Sequence, residues 1–518
     1  MKREELQHGL GEVPLRELCA RAGIRPVGGK PLPDTRVSAI TDDSRAVVPG
    51  ACFVAVQGTG RDAHEFVPQA IERGAVVVIV ERELGSEVVQ DDRLGRAIVV
   101  RVGETRTALA RLAAAFHGVA PGDRHALRLV GVTGTNGKST VAWLMRSIIE
   151  GTGARAAMLG TIEYDVAGRK QKAELTTPGS VALCRMLAEA ERGGAKFGVM
   201  EVSSHALDQR RCDGLAFDAA VFTNLSGDHL DYHRTMEDYF AAKRRLFELV
   251  DGGSMAVVNV DDPAGVRLAK TIGGRLLTFG IEALNADLRG EIGRLGRSGS
   301  EFVVHGPGWR FDCRLRLVGR HNVSNALAAA GAAHALGFDI EAIRKGLERV
   351  SGVPGRLQRV EPDGTPFSVL VDYAHTDAAL ENVLTALRPI TSGRLICVFG
   401  CGGDRDRTKR PRMATVVGKL ADAAFVTSDN PRSEAPEAII QEILPGFGVR
   451  SRCVVEVESD RRLAIASAIA SAKAGDTILI AGKGHEDYQI IGDRVLHFDD
   501  VEVARECLSG SLAVEAVA

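Results

Sequence analysis

One glycine-rich loop constrains this chain more than any other feature of its sequence. Residues 129–140 read Leu-Val-Gly-Val-Thr-Gly-Thr-Asn-Gly-Lys-Ser-Thr. Backbone N–H groups of such a loop point at an anion, its lysine reaches the outer phosphates, and a hydroxyl holds Mg²⁺. Apolar residues then recur at helical spacing from Val141 to Ile148, and Gly151 marks a helix end. The segment therefore predicts a strand, a phosphate-binding loop and a helix.

The loop departs from the general phosphate-loop pattern at one position. The glycine expected five residues before Gly137 is Val132, and Gly134 stands inside the loop instead. An ordinary glycine-rich turn is the alternative, but Gly-Lys-Ser-Thr between an apolar strand and a periodic helix favours a nucleotide site. The predicted nucleotide-binding residues of the loop are Gly134, Thr135, Asn136, Gly137, Lys138, Ser139 and Thr140.

Composition bounds the class of protein. A chain of 518 residues is too long for a single hydrophobic core, and its length suggests about three domains. A net charge of -2 argues against a broad nucleic-acid surface. The nine cysteines form no C-x-x-C pair, which predicts reduced, mostly buried thiols. Because no apolar run reaches membrane-spanning length and the N-terminus does not resemble a signal peptide, we expect a cytoplasmic protein without membrane insertion.

Short apolar strands alternate with helical segments along the chain, which predicts an α/β protein. We place three domains at 1–105, 106–353 and 354–518, the last of them Rossmann-like. In that domain four apolar strands run directly into DYAH, GCGGDRD, DNPR and GKGHED. These loops should share one edge of a parallel sheet, where such folds bind ligands. The G-x-G-x-x-G spacing of a dinucleotide loop is absent, so we reject NAD binding.

Polar residues in the central domain suggest a metal site beside the phosphate loop. Glu201 ends one apolar strand, and His229 follows a second strand, 219–223. A carboxylate at that place is a natural Mg²⁺ ligand. Lys243 lies on the same side of a predicted helix, 236–249, as Tyr239. Either it snorkels at the rim of that helix, or burial lowers its pKa and frees a neutral amine.

The motifs together resemble those of the Mur ligase family along almost the whole chain, in order and in spacing. They are GVTGTNGKST, EVSSHAL, TNLSGDHLDYH, GRHNVSNALAA, GVPGR, DYAH, GCGGDRDRTKRP, DNPR and GKGHE. The resemblance implies a small α/β UDP-binding domain, a central P-loop-type ATPase domain with a mostly parallel sheet, and a C-terminal amino-acid-binding domain. It also implies an ATP-dependent amide ligase of peptidoglycan precursor synthesis. The similarity is greatest to members that add meso-diaminopimelate to UDP-MurNAc-L-Ala-D-Glu, and we expect a monomer.

The resemblance also implies roles for individual residues. ATP would phosphorylate the substrate carboxylate, with Lys138 on the triphosphate and Ser139 and Glu201 on one Mg²⁺. Lys243, carbamylated by CO₂, would hold a second Mg²⁺ together with His229. Further ATP contacts would come from Asn322, Asn325, Arg356 and His375. The muramoyl-peptide substrate would contact Thr176, Thr177, Ser203, Gln209 and Arg211, with Ser44 and the loop 58–61 at the uridine end.

Specificity for meso-diaminopimelate would depend on the Asp-Asn-Pro-Arg loop. An arginine fork grips a second carboxylate that lysine lacks, and Arg432 is the predicted fork. The full set implied for the amino acid is Arg405, Asp429, Asn430, Pro431, Arg432, Gly482 and Glu486. Three alternatives remain: a lysine-adding relative, a folylpolyglutamate synthase, and a non-catalytic nucleotide-dependent switch. The Asp-Asn-Pro-Arg loop argues against the first and the uridine-type N-terminal domain against the second, while a switch needs no amino-acid pocket.

Overall fold

The computed structural model describes residues 11–29, 31–58, 60–84, 97–123, 127–362, 364–449 and 451–510. The chain divides into two compact units, one of residues 1–287 with 328–346 and the other of 288–327 with 347–518. The domain boundaries predicted after residues 105 and 353 stay predictions. Within the described residues, no helix is long and apolar enough to cross a membrane. All nine cysteines are free thiols and eight of them are buried, as predicted.

The first unit begins with a small α/β layer, as predicted. Strands β3, β4, β5 and β6 form a parallel four-stranded sheet, and β1 pairs with β2 antiparallel. The apolar runs at residues 51–56 and 74–80 contain its two central strands, whose residues are all buried. The bounds are β1 Val13–Pro14, α1 Leu15–Arg21, β2 Arg36–Val37, β3 Ala39–Thr41, β4 Ala51–Val54, α2 Val67–Glu72, β5 Val77–Val80, β6 Ile98–Arg101 and α3 Thr105–His117.

A larger, mostly parallel sheet follows in the same unit. Its strands run in the order β10-β9-β8-β11-β7-β12-β13-β14, and only β9 and β10 are antiparallel. The strands are β7 Arg128–Thr133, β8 Ala156–Leu159, β9 Glu163–Val166, β10 Arg169–Lys172, β11 Phe197–Glu201, β12 Phe217–Phe222, β13 Val250–Asn259 and β14 Arg275–Gly280. The helices are α4 Lys138–Gly151, α5 Ser180–Arg192, α6 Ser204–Asp208, α7 Leu230–His233, α8 Met236–Arg244 and α9 Pro263–Ala269.

The position of β7 between β11 and β12 decides where the phosphate loop lies. All three strands are parallel, so their carboxyl ends meet at one edge of the sheet. The predicted helix after the loop begins at Lys138 and ends at Gly151. Its Val141, Leu144, Met145 and Ile148 are all buried, which confirms the periodicity of the sequence.

The second unit contains two sheets and a hairpin. Strands β15 Leu288–Gly296, β16 Gly299–Gly306 and β17 Trp309–Leu315 pair antiparallel. The six-stranded sheet has the order β18-β19-β23-β20-β21-β22 and is parallel except for β18. Its strands, with the hairpin β24–β25, are β18 Gln358–Arg359, β19 Ser368–Asp372, β20 Leu395–Phe399, β21 Ala423–Val426, β22 Val454–Val457, β23 Thr477–Ala481, β24 Tyr488–Ile491 and β25 Arg494–His497. The four predicted polar loops therefore do follow parallel strands at one edge.

The helices of the remaining chain are regular, and one of them contains the polar residues of the GRHNVSNALAA motif. This helix begins at Arg320. Asn325 Nδ2 donates to Asn322 Oδ1 (3.0 Å), so two polar side chains of the motif pair with each other inside the first turns of the helix. The helices are α10 Arg320–Ala335, α11 Ile340–Arg349, α12 Asp377–Leu387, α13 Lys409–Leu420, α14 Pro436–Ile443, α15 Arg461–Ala470 and α16 Asp500–Leu508, and the chain passes between the units within α10 and α11.

A buried ion pair holds together the strand ends of the second unit. Arg461 donates from Nε to Asp500 Oδ1 (2.7 Å) and from Nη2 to Asp500 Oδ2 (2.6 Å), and both side chains are 0% exposed. The same guanidinium donates to the carbonyls of Ser428 and Ala481 at 3.3 and 3.0 Å. These carbonyls follow β21 and end β23, so one side chain ties together the loops that begin at residues 429 and 482.

We expect Arg461→Ala to destabilise the second unit by about 3–5 kcal/mol, because Asp500 would stay buried without its partner. Thermal and urea unfolding measure this loss. The double variant Arg461→Met with Asp500→Leu should lose less unfolding free energy than Arg461→Ala, because it leaves no unpaired buried charge. Arg267→Ala, which breaks an exposed pair with Glu237, is the matched control and should destabilise the protein much less, because solvent screens that pair. Equal losses in the buried and the exposed variants would contradict the expectation.

Candidate active site

The phosphate loop is held against the strand end of β12. Gly134 has φ +144°, and a Cβ there would lie 1.9 Å from Thr223 Oγ1. Thr223 Oγ1 donates to the carbonyl of Asn136 (2.6 Å). Asn224 accepts from two loop amides, Thr135 N at its carbonyl (2.9 Å) and Asn136 N at Oδ1 (3.0 Å). Only glycine at position 134 permits this close approach, which explains the unusual loop sequence.

Two lysines meet at one backbone carbonyl of the loop. Lys138 Nζ donates to Gly134 O (3.0 Å) and to Thr135 O (2.9 Å). Lys243 Nζ donates to the same Gly134 O (2.9 Å). Two ammonium groups on one oxygen repel each other strongly in a site of low dielectric constant.

Lys243 is buried rather than snorkelling, which rejects that alternative. Its side chain is 1% exposed, and Nζ lies 4.3 Å from the centre of the Tyr239 ring. Burial, together with the charge of Lys138, holds the pKa of Lys243 well below its usual range. The chain therefore places beside the phosphate loop a buried lysine whose lowered pKa favours the neutral amine.

Glu201 is fixed in place at the end of β11. Its Oε1 accepts from Thr161 N (2.9 Å) and its Oε2 from Thr161 Oγ1 (3.0 Å), and the residue is 2% exposed. A Cβ on Gly160 would lie 2.4 Å from Glu201 Oε1, so the carboxylate lies directly on the backbone of this turn. Sequence reasoning identified Glu201 but not Thr161, whose role depends on the pairing of β8 with β11.

His229 belongs to a cluster of aromatic and imidazole rings. Its ring centre lies 4.9 Å from that of His205 and 6.1 Å from that of Tyr239. Burial lowers the pKa of His229, and it lowers that of His205 to about 4, so neutral imidazoles are favoured. Over the described residues, no group of three or more His, Cys, Asp and Glu side chains forms a metal site. A metal here would need other ligands, and Ser139, 4% exposed in the first turn of α4, is the predicted one.

The residues predicted for the muramoyl peptide form one network beside Glu201. Thr177 Oγ1 donates to Glu201 O (2.8 Å) and accepts from Ser203 N (3.0 Å). Arg211 donates to Thr177 O (2.7 Å) and to Gln209 Oε1 (2.7 Å). Thr176 joins through Thr161, whose Oγ1 lies 3.1 Å from Thr176 Oγ1.

At the predicted uridine end, Ser44 is buried and already engaged. Its Oγ donates to Gln69 Oε1 (3.0 Å), and its carbonyl accepts from Arg73 (2.9 Å). In the predicted loop 58–61, Gly58 N donates to Arg61 O (2.9 Å), while Thr59 lies outside the described residues. The uridine assignments stay predictions.

In the second unit, the residues predicted for the amino acid lie around a buried lysine. Asn430 Nδ2 donates to Glu486 Oε2 (3.0 Å), and Asn430 Oδ1 accepts from Ile490 N (3.0 Å). Lys483 Nζ lies 3.8 Å from Asp429 Oδ1 and 3.9 Å from Glu486 Oε2. A Cβ on Gly482 would lie 3.2 Å from Asp429 Oδ2. The sequence did not predict a role for Lys483, although this residue lies within the GKGHE motif.

Arg432 has a strained backbone at the predicted carboxylate fork. Its φ is +52°, rare for a residue with a side chain, and it is held by hydrogen bonds to the hairpin: Arg432 N to Ile490 O (3.0 Å) and Gly492 N to Arg432 O (2.7 Å). Its Nη1 donates to Gly403 O (2.8 Å). Pro431 is buried beside it, and Arg405 is exposed.

The remaining predicted nucleotide residues also belong to the second unit. Arg356 lies 5.2 Å above the Tyr373 ring, and His375 Nδ1 is 2.8 Å from Tyr373 O. Asn322 is buried and donates from Nδ2 to Val318 O (2.8 Å). The phosphate loop lies in the first unit, so the structure brings together the loop, Glu201, His229 and Lys243, and separately the amino-acid residues.

Comparison with known proteins shows the family. Residues 36–117 match the Mur ligase family catalytic domain, 132–333 the Mur ligase middle domain, and 355–484 the Mur ligase glutamate ligase domain. A phosphate loop on a parallel sheet, followed by a second parallel α/β domain, makes the chain an α/β protein with a P-loop-type site. The three matches show that it belongs to the Mur ligase family. The predicted three-domain α/β architecture is confirmed.

Individual relatives cover nearly the whole chain. A protein of Gloeobacter violaceus named UDP-N-acetylmuramoyl-L-alanyl-D-glutamate–2,6-diaminopimelate ligase is 46% identical over 96% of this chain and 98% of its own length. A solved structure with the same name has a TM-score of 0.69 at 32% identity, covering 96% of this chain and 99% of its own. A MurF ligase from Thermotoga maritima in complex with ADP, 19% identical with a TM-score of 0.59, covers 91% of this chain and 97% of its own, and shares the fold.

We expect Gly134→Ala to weaken ADP binding by at least about tenfold, because the added Cβ collides with Thr223 and displaces the loop amides. Calorimetric titration with ADP measures the change. Gly273→Ala is the control, since a Cβ there meets nothing within 4 Å. Unchanged ADP affinity in Gly134→Ala would show that the loop does not bind phosphate.

Proposed function

We propose that the chain is an ATP-dependent ligase that adds meso-diaminopimelate to UDP-MurNAc-L-Ala-D-Glu, releasing ADP and phosphate, in peptidoglycan precursor synthesis. One observation carries the proposal: relatives with this name match the chain over nearly its full length. Two features of the structure support the proposal. They are the phosphate loop and the cluster of polar side chains around Lys483, to which the Asp-Asn-Pro-Arg loop contributes Asn430. We further propose a cytoplasmic monomer with boundaries after residues 105 and 353.

The reaction has two steps that the site supports. A carboxylate oxygen of the dipeptide attacks the γ-phosphorus of ATP, and the bond to ADP breaks, giving an acyl phosphate. The amine of meso-diaminopimelate then attacks the acyl carbon, loses a proton, and phosphate leaves. Lys138 and the loop amides stabilise the charge that develops on the triphosphate in the first step.

Two Mg²⁺ ions fit the donor set of the first unit. Ser139 and Glu201 would hold one ion, since Thr161 fixes both Glu201 oxygens. Lys243 and His229 would hold the second, after the neutral Lys243 amine attacks CO₂, forms an N–C bond and loses a proton. The buried lysine with a lowered pKa fits this chemistry, because only a neutral amine is nucleophilic. Bound Mg²⁺ neutralises phosphate charge and orients the reacting oxygens.

Recognition of the substrates would be divided between the units. Arg432 and Arg405 would bind carboxylates of meso-diaminopimelate, with Asp429, Asn430 and Glu486 at its ammonium group. Pro431 and Gly482 shape the same pocket. The muramoyl peptide would lie along Thr176, Thr177, Ser203, Gln209 and Arg211, with the uridine near Ser44. Asn322, Asn325, Arg356 and His375 would complete the nucleotide site.

We expect ATP hydrolysis to require both UDP-MurNAc-L-Ala-D-Glu and meso-diaminopimelate. Phosphate release and mass spectrometry of the product, with meso-diaminopimelate or lysine as acceptor, measure this directly. The kcat/KM for lysine should be about 10⁴-fold lower than that for meso-diaminopimelate, because lysine has no second carboxylate for Arg432 to bind. Preferential lysine addition would overturn the specificity, and hydrolysis without either substrate would favour a nucleotide switch.

We expect Lys243→Ala to abolish ligation, and excess bicarbonate not to restore it, because the carbamate has no amine on which to form. Lys243→Met keeps the buried volume and should lose activity at least about 10²-fold with an unchanged melting temperature. Steady-state ligation with each variant measures the loss. Full activity in Lys243→Met would remove the carbamate from the mechanism.

A further inference from the structure

Lys483 has no part in the chemistry above, yet its ammonium lies inside the amino-acid pocket. The side chain is 0% exposed. Nζ donates to the carbonyl of Tyr488 and to Asn430 Oδ1 (3.4 Å), in addition to its approaches to Asp429 and Glu486. A fully buried lysine is rare in proteins and needs a reason.

The backbone around Lys483 is adapted to this burial. Gly482 has φ +119° and Gly484 has φ +56°, conformations that side chains rarely adopt. A Cβ on Gly484 would lie 2.7 Å from Tyr373 Cβ, so the loop runs directly over β19. Glycine on both sides allows the chain to place Lys483 inside the pocket.

Lys483 orients the polar groups of the pocket. Since Asn430 Oδ1 accepts from Lys483 and Ile490 N, its Nδ2 must face Glu486. Burial and the neighbouring Asp429 raise the pKa of Glu486, and the ammonium of Lys483 opposes that shift. Burial lowers the pKa of Lys483, while Asp429 and Glu486 oppose it. Lys483 and Glu486 therefore each favour the charged form of the other, whereas the Asp429 carboxylate disfavours a second negative charge on Glu486.

The charges of the pocket balance. Among its buried and half-buried groups, Lys483 and Arg432 are two cations, Asp429 and Glu486 are two anions, and the nearby Arg461–Asp500 pair adds no net charge. Arg405, which we assign to the other carboxylate of meso-diaminopimelate, is exposed and screened by solvent. The distal end of meso-diaminopimelate has one carboxylate and one ammonium, so its net charge is zero. The distal end of lysine has the ammonium alone and would leave the desolvated pocket with one excess positive charge.

We propose that Lys483 is a specificity-determining residue, whose buried ammonium makes the pocket neutral and thereby selects a zwitterionic amino-acid end over a lone ammonium. The inference rests on the proposed function. It adds a repulsive element to the attraction that Arg432 provides, as selective sites commonly require.

The test is the ratio of kcat/KM for meso-diaminopimelate to that for lysine. In Lys483→Met, which removes the charge at similar volume, this ratio should fall at least about tenfold, with lysine used better relative to meso-diaminopimelate. The KM values for ATP and for UDP-MurNAc-L-Ala-D-Glu should not change. An unchanged ratio in a folded Lys483→Met protein would overturn the proposal.

Charge-matched variants separate charge from structure. Lys483→Met with Glu486→Gln leaves one cation and one anion. The ratio of the two kcat/KM values in this double variant should be at least about threefold higher than in Lys483→Met alone. Glu486→Gln alone leaves two cations and one anion, and should raise the ratio at least about threefold. If Lys483→Met does not fold, the single variant Glu486→Gln still tests the proposal. An unchanged or lower ratio in Glu486→Gln contradicts the proposal.

The outcomes also separate this inference from the proposed function. A wild-type protein that does not prefer meso-diaminopimelate over lysine contradicts the proposed function itself. A wild-type preference that Lys483→Met and Glu486→Gln leave intact contradicts only the role of Lys483.

Discussion

Lys138 and Lys243 both donate to the carbonyl oxygen of Gly134, and the chemistry proposed for the first unit depends on this contact. Lys138 comes from the phosphate loop and Lys243 from helix α8, and both donate to the same atom. Two positive charges beside one oxygen atom in a buried site repel each other, so one lysine must become neutral or pair with an anion. Burial selects Lys243, whose pKa is lowered, while Lys138 stays available to phosphate. Phosphate binding and the proposed carbamate on Lys243 would both relieve this repulsion.

The parallel sheets explain why each set of residues comes together. In the first unit β7 lies between β11 and β12, so the phosphate loop, Glu201 and Thr223 reach one edge. In the second unit Arg461 ties the carbonyls after β21 and at the end of β23, on which the amino-acid pocket depends. The proposed phosphate site presents backbone N–H groups and Lys138, which suit an anion, whereas the charges of the proposed amino-acid pocket nearly cancel. Each therefore suits its proposed ligand.

The sequence predicted those parts that local chemistry determines. Gly-Lys-Ser-Thr before a periodic helix predicted the phosphate loop and α4, and polar residues after apolar strands predicted the loops of the second sheet. Spacing alone could not decide whether Lys243 is buried, because that depends on the packing of Tyr239 and the loop. Thr161 contacts Glu201, and Lys483 contacts Asp429 and Asn430, and these partners are distant in sequence. These features need the tertiary structure.

Lys243 is the residue on which the proposed two-metal chemistry depends, and its carbamate is directly observable. ¹³C NMR of the wild-type protein equilibrated with ¹³C-bicarbonate should show one protein-bound carbamate resonance, and Lys243→Met should lack it. Since the neutral amine is the form that reacts with CO₂, the resonance should persist near neutral pH, where an ordinary lysine is almost fully protonated. A wild-type spectrum without that resonance, or the same resonance in Lys243→Met, would contradict a carbamate on Lys243.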